Sequence, residues 1–323
     1  MVKTWSTPVI VQNGTMVPCA ICGALCGALC GAGRFAPALD CEGFSYVRCA
    51  SCGLVQINPQ PVRAGVLARY GETFGKDYLS YELENEAAFL KLQQLALEDA
   101  KFGELEKTLF SAAATATATA AARAEADAEA DADGGPPGVL DIGCATGALL
   151  SLLRGRGWRV TGVEISPAAE YARNERGLDV RNLPLEENKF PDAGFDVVHA
   201  SHLIEHLNDP RSFLNEIHRI LKKDGRVFIT TPNISGFQAR ITGSSWRSAI
   251  FDHLYLFSAR TLTELLKSTG FTVEGVFTWG GLAHGLVPGY VPIFAVSRLK
   301  KIADFLAKRL GCGDVMMVRA KAG

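Results

Sequence analysis

The stretch Val139-Leu140-Asp141-Ile142-Gly143-Cys144-Ala145-Thr146-Gly147 constrains this chain more than any other. A short apolar strand runs into a turn of small residues, and Leu149, Leu150, Leu152 and Leu153 continue as an apolar helix. That order is the entrance of a βαβ unit that binds a nucleotide-like ligand. Gly143 and Gly147 let the backbone turn tightly and approach the ligand closely. The helix that follows aims its free N–H groups and the positive end of its dipole at the same place. The second strand, read over 158–165, carries Glu164, 21 positions after Gly143. A carboxylate at that distance can hold the two hydroxyls of a ribose. The turn reads Asp-x-Gly-x-x-x-Gly, with Ala145 where a dinucleotide turn has glycine, so a pyrophosphate is not the expected ligand.

Downstream, strands and helices alternate. Apolar patterning predicts strands at 139–143, 158–165, 178–182, 195–201, 226–232, 271–279 and 314–320. Between them it predicts helices at 147–156, 167–176, 210–222, 259–269 and 292–310, with Asp224-Gly225 turning the third into its strand. Alternation of this kind predicts an α/β protein with a doubly wound, Rossmann-like sheet covered on both faces.

The N-terminal part carries different chemistry. Cys19-Ala-Ile-Cys22 and Cys49-Ala-Ser-Cys52 are two Cys-x-x-Cys knuckles, each followed by glycine, with 26 residues between them. Four thiolates so arranged suit one structural Zn²⁺ in a zinc-ribbon-like segment. A redox Cys-x-x-Cys and buried thiols are the alternatives. Cys26, Cys30 and Cys41 are spare, and Cys26 or Cys30 could replace a ligand. Residues 82–110 read as one helix with a broad apolar face. Residues 111–138, an Ala/Thr tract, an Ala/Glu/Asp alternation and Gly-Gly-Pro-Pro-Gly, have too little large apolar surface to pack and read as a linker. The expected divisions are therefore a ribbon at 1–62, a helical connector at 63–110, the linker at 111–138 and the sheet domain at 139–323. A net charge of −1 gives no basic field, so nucleic acid is not an expected partner. Met1 to Gly14 lacks an apolar signal core, which makes a cytoplasmic protein the expectation.

The turn at 141–147 resembles motif I of class I S-adenosylmethionine (SAM) dependent methyltransferases. Phe195-Asp-Val-Val198 resembles their strand-four motif, Leu203-Ile-Glu-His-Leu-Asn-Asp-Pro210 the turn after it, and Leu221-Lys-Lys-Asp-Gly225 the turn before strand five. The knuckles, Asn58-Pro59-Gln-Pro61 and His253-Leu-Tyr-Leu-Phe-Ser258 match a subgroup with an N-terminal zinc ribbon. The resemblance implies a mostly parallel sheet with one antiparallel strand. It implies SAM as cofactor and methyl transfer to oxygen or carbon of a small molecule: a sugar, a polyketide-like compound or a lipid-linked metabolite. By position, Asp141 would orient the turn and the methionine ammonium, and Gly143, Cys144, Ala145 and Gly147 would line the methionine. Glu164 would hold the ribose and Ile165 would pack on adenine, with Pro184 and Leu185 beside it. Ser201 and His202 would face the transferring methyl. A non-catalytic zinc-ribbon adaptor that binds SAM, and an NAD-dependent oxidoreductase, are the rival readings.

Where the acceptor must lose a proton, His202, Glu205, His206 and His253 are the candidate bases, because an imidazole titrates near neutrality. His199, inside a strand, and His218, on a helix, read as structural. The block at 202–206 also resembles ubiquinone-pathway O-methyltransferases, in which a Glu-x-x-Glu-His turn can hold a divalent metal. Here the first Glu is His202, so no catalytic metal is expected. The aromatic segment 236–253 reads as a substrate lid or as a plug for the core. Helix 292–310 carries Leu299, Ile302, Phe305, Leu306 and Leu310 at helical spacing among five cations. Such a stripe either covers the sheet or lies on a membrane surface.

Overall fold

In a computed structural model that describes residues 15–23, 35–61, 72–124, 135–280 and 293–323, the cysteine-bearing segment builds a small antiparallel sheet. Its first strands are β1 (Phe35–Cys41), β2 (Phe44–Cys49) and β3 (Val55–Ile57). Two helices follow, α1 (Glu72–Asp99) and α2 (Phe102–Ala124). The expected single helix over 82–110 is thus broken at Ala100-Lys101. Lys101 takes a left-handed φ of 58°, and the kink drops Ala100 and Phe102 into the core. Phe102 stacks on Trp158 at 5.5 Å and meets Phe228 edge-on. Tertiary packing here overrides a continuous helical pattern. The expected linker is corrected in its first half, since α2 continues through the Ala/Thr tract to Ala124. Alanine has the strongest intrinsic helix preference, so this tract extends a helix already nucleated upstream. Residues 125–134 of that linker lie outside the described residues.

The Rossmann-like part then unrolls. Its elements are β4 (Gly138–Ile142), α3 (Ala148–Gly155), β5 (Arg159–Val163), α4 (Ala168–Arg176), β6 (Val180–Arg181), β7 (Phe195–Ser201), α5 (Pro210–Ile220) and β8 (Leu221–Pro232). The short helix α6 (Phe237–Thr242), β9 (Tyr255–Leu256), α7 (Ala259–Ser268), β10 (Phe271–Trp279), α8 (Ile293–Arg309) and β11 (Val315–Ala322) complete it. The large sheet has the order β10-β11-β8-β7-β4-β5-β6. Pairings from β8 to β6 are parallel, and β11 runs antiparallel between β10 and β8. This is the mostly parallel sheet with one antiparallel strand implied by the resemblance. The strand expected at 226–232 begins earlier. Leu221 already pairs with Phe195, and Lys222 to Gly225 bulge out before Arg226 pairs with Val197.

Both faces are covered, as β4 requires with every residue buried. On one face Ala96, Leu97, Ala100 and Phe102 pack with Leu149, Leu153 and Trp158 over Val139, Val197, Phe228 and Met317. On the other, α5 and α7 supply Leu214, Ile217, Leu262 and Leu265. The same core runs on into the small sheet through Tyr46, Leu54, Ile57, Tyr255 and Phe257. β3 pairs with β9, so the His253–Ser258 segment is the fourth strand of the ribbon sheet. Arg260 donates to the Cys52 carbonyl, and Arg211 to those of Ala20 and Ile21.

Candidate functional site

The order of the large sheet reverses between β4 and β7, and the crevice at the carboxyl ends of those strands is where doubly wound folds bind ligands. Gly143 (φ 75°) and Gly147 (φ 77°) are left-handed, as is Ala145 (φ 46°). A side chain at Gly147 would collide with Leu178. The turn is fastened by Gly143 and Cys144 N–H groups on the Val163 carbonyl, at 2.7 and 3.2 Å. One strand over, the buried Glu164 accepts from Ala145 N at 3.0 Å and from Ser166 N at 2.7 Å. Burial raises the pKa of Glu164, while those N–H groups act to lower it. A carboxylate has about four acceptor sites, and two N–H bonds leave room for a ribose diol. Ile165, next in the chain, is half-buried, as is Pro184, and Leu185 is buried in the main core.

Asp141 is buried, and its Oδ1 meets His199 Nδ1 at 2.7 Å from the neighbouring strand. This pair braces the base of the turn. The buried His199 Nε2 has no hydrogen-bond partner.

At the end of β7, Ser201 is half-buried and His202 turns outward with φ 52°, its N–H on the Thr230 carbonyl at 2.8 Å. Glu205 is fully buried and accepts from Thr231 Oγ1 at 2.9 Å. His202 Nδ1 lies 3.3 Å from Glu205 Oε1, within ion-pair range but outside hydrogen-bond geometry, so Oε1 has no donor. Burial pushes Glu205 up, yet the His202 contact and the surrounding histidines outweigh it and hold the carboxyl at about 2. His206 and His253 meet edge to face at 4.7 Å. His206 Nδ1 faces the Asp252 carbonyl at 2.9 Å and His253 Nδ1 the Ser248 carbonyl at 2.8 Å, which makes each Nδ1 the protonated nitrogen. Burial first, then the neighbouring His206, lowers His253 to about 4. It is therefore a neutral imidazole at pH 7. Glu205, His206 and His253 each offer a ligand atom, all within 4.8 Å of one another. Two imidazoles and a carboxylate with an undonated buried oxygen fit a divalent cation. His253 reaches this group from a segment 47 positions beyond His206.

The four knuckle cysteines also converge. Cys19 and Cys52 sulfurs are 3.3 Å apart, Cys22 and Cys49 3.6 Å, and all four lie within 4.8 Å. Thiolates 2.3 Å from a tetrahedral Zn²⁺ stand about 3.8 Å from one another, so the donor set fits. Gly23 and Gly53 close each knuckle with N–H bonds to the Cys19 and Cys49 carbonyls. Burial raises Cys19 well above the usual thiol range and pushes Cys52 up to about 11. Burial also acts to raise Cys49, but the N–H groups of Cys52 and Ser51 outweigh it and bring the thiol to about 7. Cys41 stands apart, beside the Ser244 carbonyl, and Cys26 and Cys30 lie outside the described residues.

Two parts of the site had no signal in the sequence. Glu86 of α1 reaches over the nucleotide turn. It accepts from Thr146 Oγ1 at 2.6 Å and from Arg176 at 2.5 and 2.6 Å. Tyr46 of β2 donates to the carbonyls of Ile250 and His253, both at 2.8 Å, and so ties the ribbon to the His253 segment. In the 236–253 segment, Trp246 is buried with its Nε1 on Asp314 at 2.8 Å, while Phe237 and Ile250 are exposed. The segment plugs the core with Trp246 and leaves Phe237 and Ile250 outside.

The methyltransferase-domain family matches residues 105–276, just over half of the chain. A probable S-adenosylmethionine-dependent methyltransferase of Mycolicibacterium smegmatis is 37% identical over 157 residues, which is 45% of this chain and 57% of that protein. A ubiquinone biosynthesis O-methyltransferase of Pseudomonas aeruginosa is 37% identical over 102 residues, 29% of this chain and 44% of its own length. The chain spans about half the length of the curated relatives it matches. A solved SAM-dependent methyltransferase from Archaeoglobus fulgidus is 23% identical, with 58% of this chain and 86% of that one covered and a TM-score of 0.44. This chain belongs to the methyltransferase-domain family.

Proposed function

We propose that the protein transfers a methyl group from SAM to oxygen or carbon of a small-molecule acceptor. The observation that carries this reading is the turn 143–147 with Glu164 bonded across to Ala145 N, a cradle with carboxylate acceptors and no phosphate-type glycine triplet. SAM, when bound, supplies an electrophilic methyl with a good leaving group. The chain's own residues then need only place the acceptor and take a proton where one must leave. Glu164 holds the ribose hydroxyls, and Asp141, fixed by His199, orients the turn. His206 and His253 are the bases. With each Nδ1 donating to a carbonyl, Nε2 is the unprotonated ring nitrogen. His202 is the more exposed member of the group and meets the acceptor at the mouth.

The relatives described as ubiquinone biosynthesis O-methyltransferases favour an acceptor with a large apolar part, in keeping with the lipid-linked class. The ribbon carries a structural Zn²⁺ on Cys19, Cys22, Cys49 and Cys52. A second reading adds a divalent cation at Glu205, His206 and His253, and the undonated Glu205 Oε1 favours it. The test is a screen of phenolic, sugar and lipid-linked acceptors with methyl-labelled SAM, run on parent protein and His253→Gln, with and without added Mg²⁺ or Mn²⁺ after chelation. Label transferred by the parent and lost in the variant supports the reading. SAM bound tightly with no label moved to any acceptor favours the adaptor, and binding of a nicotinamide cofactor instead favours the oxidoreductase.

A further inference from the structure

We propose that α8 docks this protein on an anionic lipid surface. The helix faces the sheet with small side chains. Ala307 is buried and its carbonyl accepts from Thr278 Oγ1, and Ala303 and Asp304 are half-buried. Its large apolar side chains point the other way: Ile302, Phe305, Leu306 and Leu310 are exposed, Phe305 by 62% and Leu310 by 74%. A helix that served only to cover a sheet would bury its large residues. Of the two readings of this stripe, the covering one does not hold for Ile302, Phe305, Leu306 and Leu310.

Positions 302, 305, 306, 309 and 310 follow the i, i+3, i+4, i+7, i+8 spacing of a single helix face. Arg309 lies on that face among the apolar residues, and Lys301 is exposed next to Ile302. Lys308 is tied to Asp99 at 2.6 Å. From Ile293 to Leu310 the sequence holds five cations (Arg298, Lys300, Lys301, Lys308, Arg309) against one acid (Asp304), a net of +4 in a chain whose total is −1. This charge complements an anionic headgroup layer. The apolar side chains reach below the headgroups, and Arg309 extends its guanidinium back to them. An acidic protein groove would satisfy the cations but would also need a matching apolar wall. A bilayer provides both along a straight helix.

The helix also ends at the rim of the site. The Cys312 carbonyl just beyond it accepts from Phe237 N at 2.9 Å, at the start of α6 in the segment that leads to His253. Docking through α8 holds that rim close to a bilayer. Among the described residues no helix is long and apolar enough to cross one. The docking stands on α8 alone and does not require the methyl-transfer reading.

The test is co-sedimentation of the full chain at low salt with phosphatidylcholine vesicles made with and without phosphatidylglycerol. The expected result is binding to the anionic vesicles that weakens as salt rises. Phe305→Glu and Leu310→Glu change exposed side chains, so melting temperature should hold while vesicle affinity falls by about tenfold or more each. Arg309→Gln should weaken binding to anionic vesicles several-fold. Parent protein that stays in the supernatant with anionic vesicles overturns the proposal, as does unchanged binding by both glutamate variants. Sedimentation velocity without vesicles covers the remaining occupant. A dimer that Phe305→Glu dissolves, with no vesicle binding, gives the face to a second copy and also overturns it.

Discussion

Ala145 sits at φ 46°, a left-handed conformation that costs an L side chain roughly 1–2 kcal/mol. The turn keeps its shape because Ala145 N is bonded to Glu164 and its neighbours to Val163. Ala145→Gly should therefore raise stability by at most about 1 kcal/mol, and the melting temperature slightly with it, without loss of SAM affinity. A lower melting temperature would show the methyl group to be packed rather than tolerated. Glu164 carries the opposite burden. Its substitution by Ala removes charge-assisted bonds to a ribose that are worth roughly 2–3 kcal/mol, so SAM should bind about 30- to 150-fold more weakly in a titration. His199→Phe leaves Asp141 buried without its partner. Unfolding by urea should show a loss of about 2–4 kcal/mol, larger than for a surface histidine.

At the scale of elements, α1 and the ribbon behave as walls of the site. Glu86 joins α1 to the nucleotide turn through Thr146 and to α4 through Arg176. Glu86→Gln keeps the shape and removes the charge. The expected outcome is a higher KM for SAM with kcat nearly unchanged, since the helix positions the cofactor turn and touches no reacting atom. The ribbon shares one apolar core with the sheet and holds the His253 segment through Tyr46. Calorimetry of the chelated protein should show a lowered single transition. Two separate transitions would mean that the ribbon folds by itself and that Tyr46 transmits nothing.

Across the whole molecule, the pH dependence of stability follows from two buried groups. His253 titrates at about 4 when folded, against an ordinary value near 6.5. Between those values the unfolded chain binds a proton that the folded chain refuses, so stability falls as pH drops from about 6.5 to 4. Glu205, held at about 2, continues the loss from its ordinary 4.5 downward, because the unfolded carboxyl protonates first. Urea midpoints should therefore decline steadily below pH 6.5, and His253→Gln should flatten the upper part of that decline.

The strand positions of the large sheet were legible because each strand is a short apolar run closed by a turn residue, from Val139–Ile142 to Phe271–Trp279. The kink at Lys101 was not, because the helical pattern continues across it and only the fit of Phe102 against Trp158 demands a break. The nucleotide turn and the knuckles were legible because their residues are close in sequence. Glu86 is 60 positions from Thr146 and Tyr46 is 207 from His253, and no local pattern encodes such contacts. The stripe of α8 was visible, but its direction was not, since the choice between sheet and solvent depends on Ala303 and Ala307 being small enough to sit against the strands.

If the crevice at the ends of β4 and β7 is a SAM site, the full chain binds SAM in solution. Isothermal titration of the full chain with SAM tests it most directly. The expected result is close to one SAM per chain at micromolar affinity or better, lost by at least an order of magnitude in Glu164→Ala protein that still melts in one cooperative transition. An absence of heat and of competition by S-adenosylhomocysteine, or equal affinity in parent and variant, would contradict it.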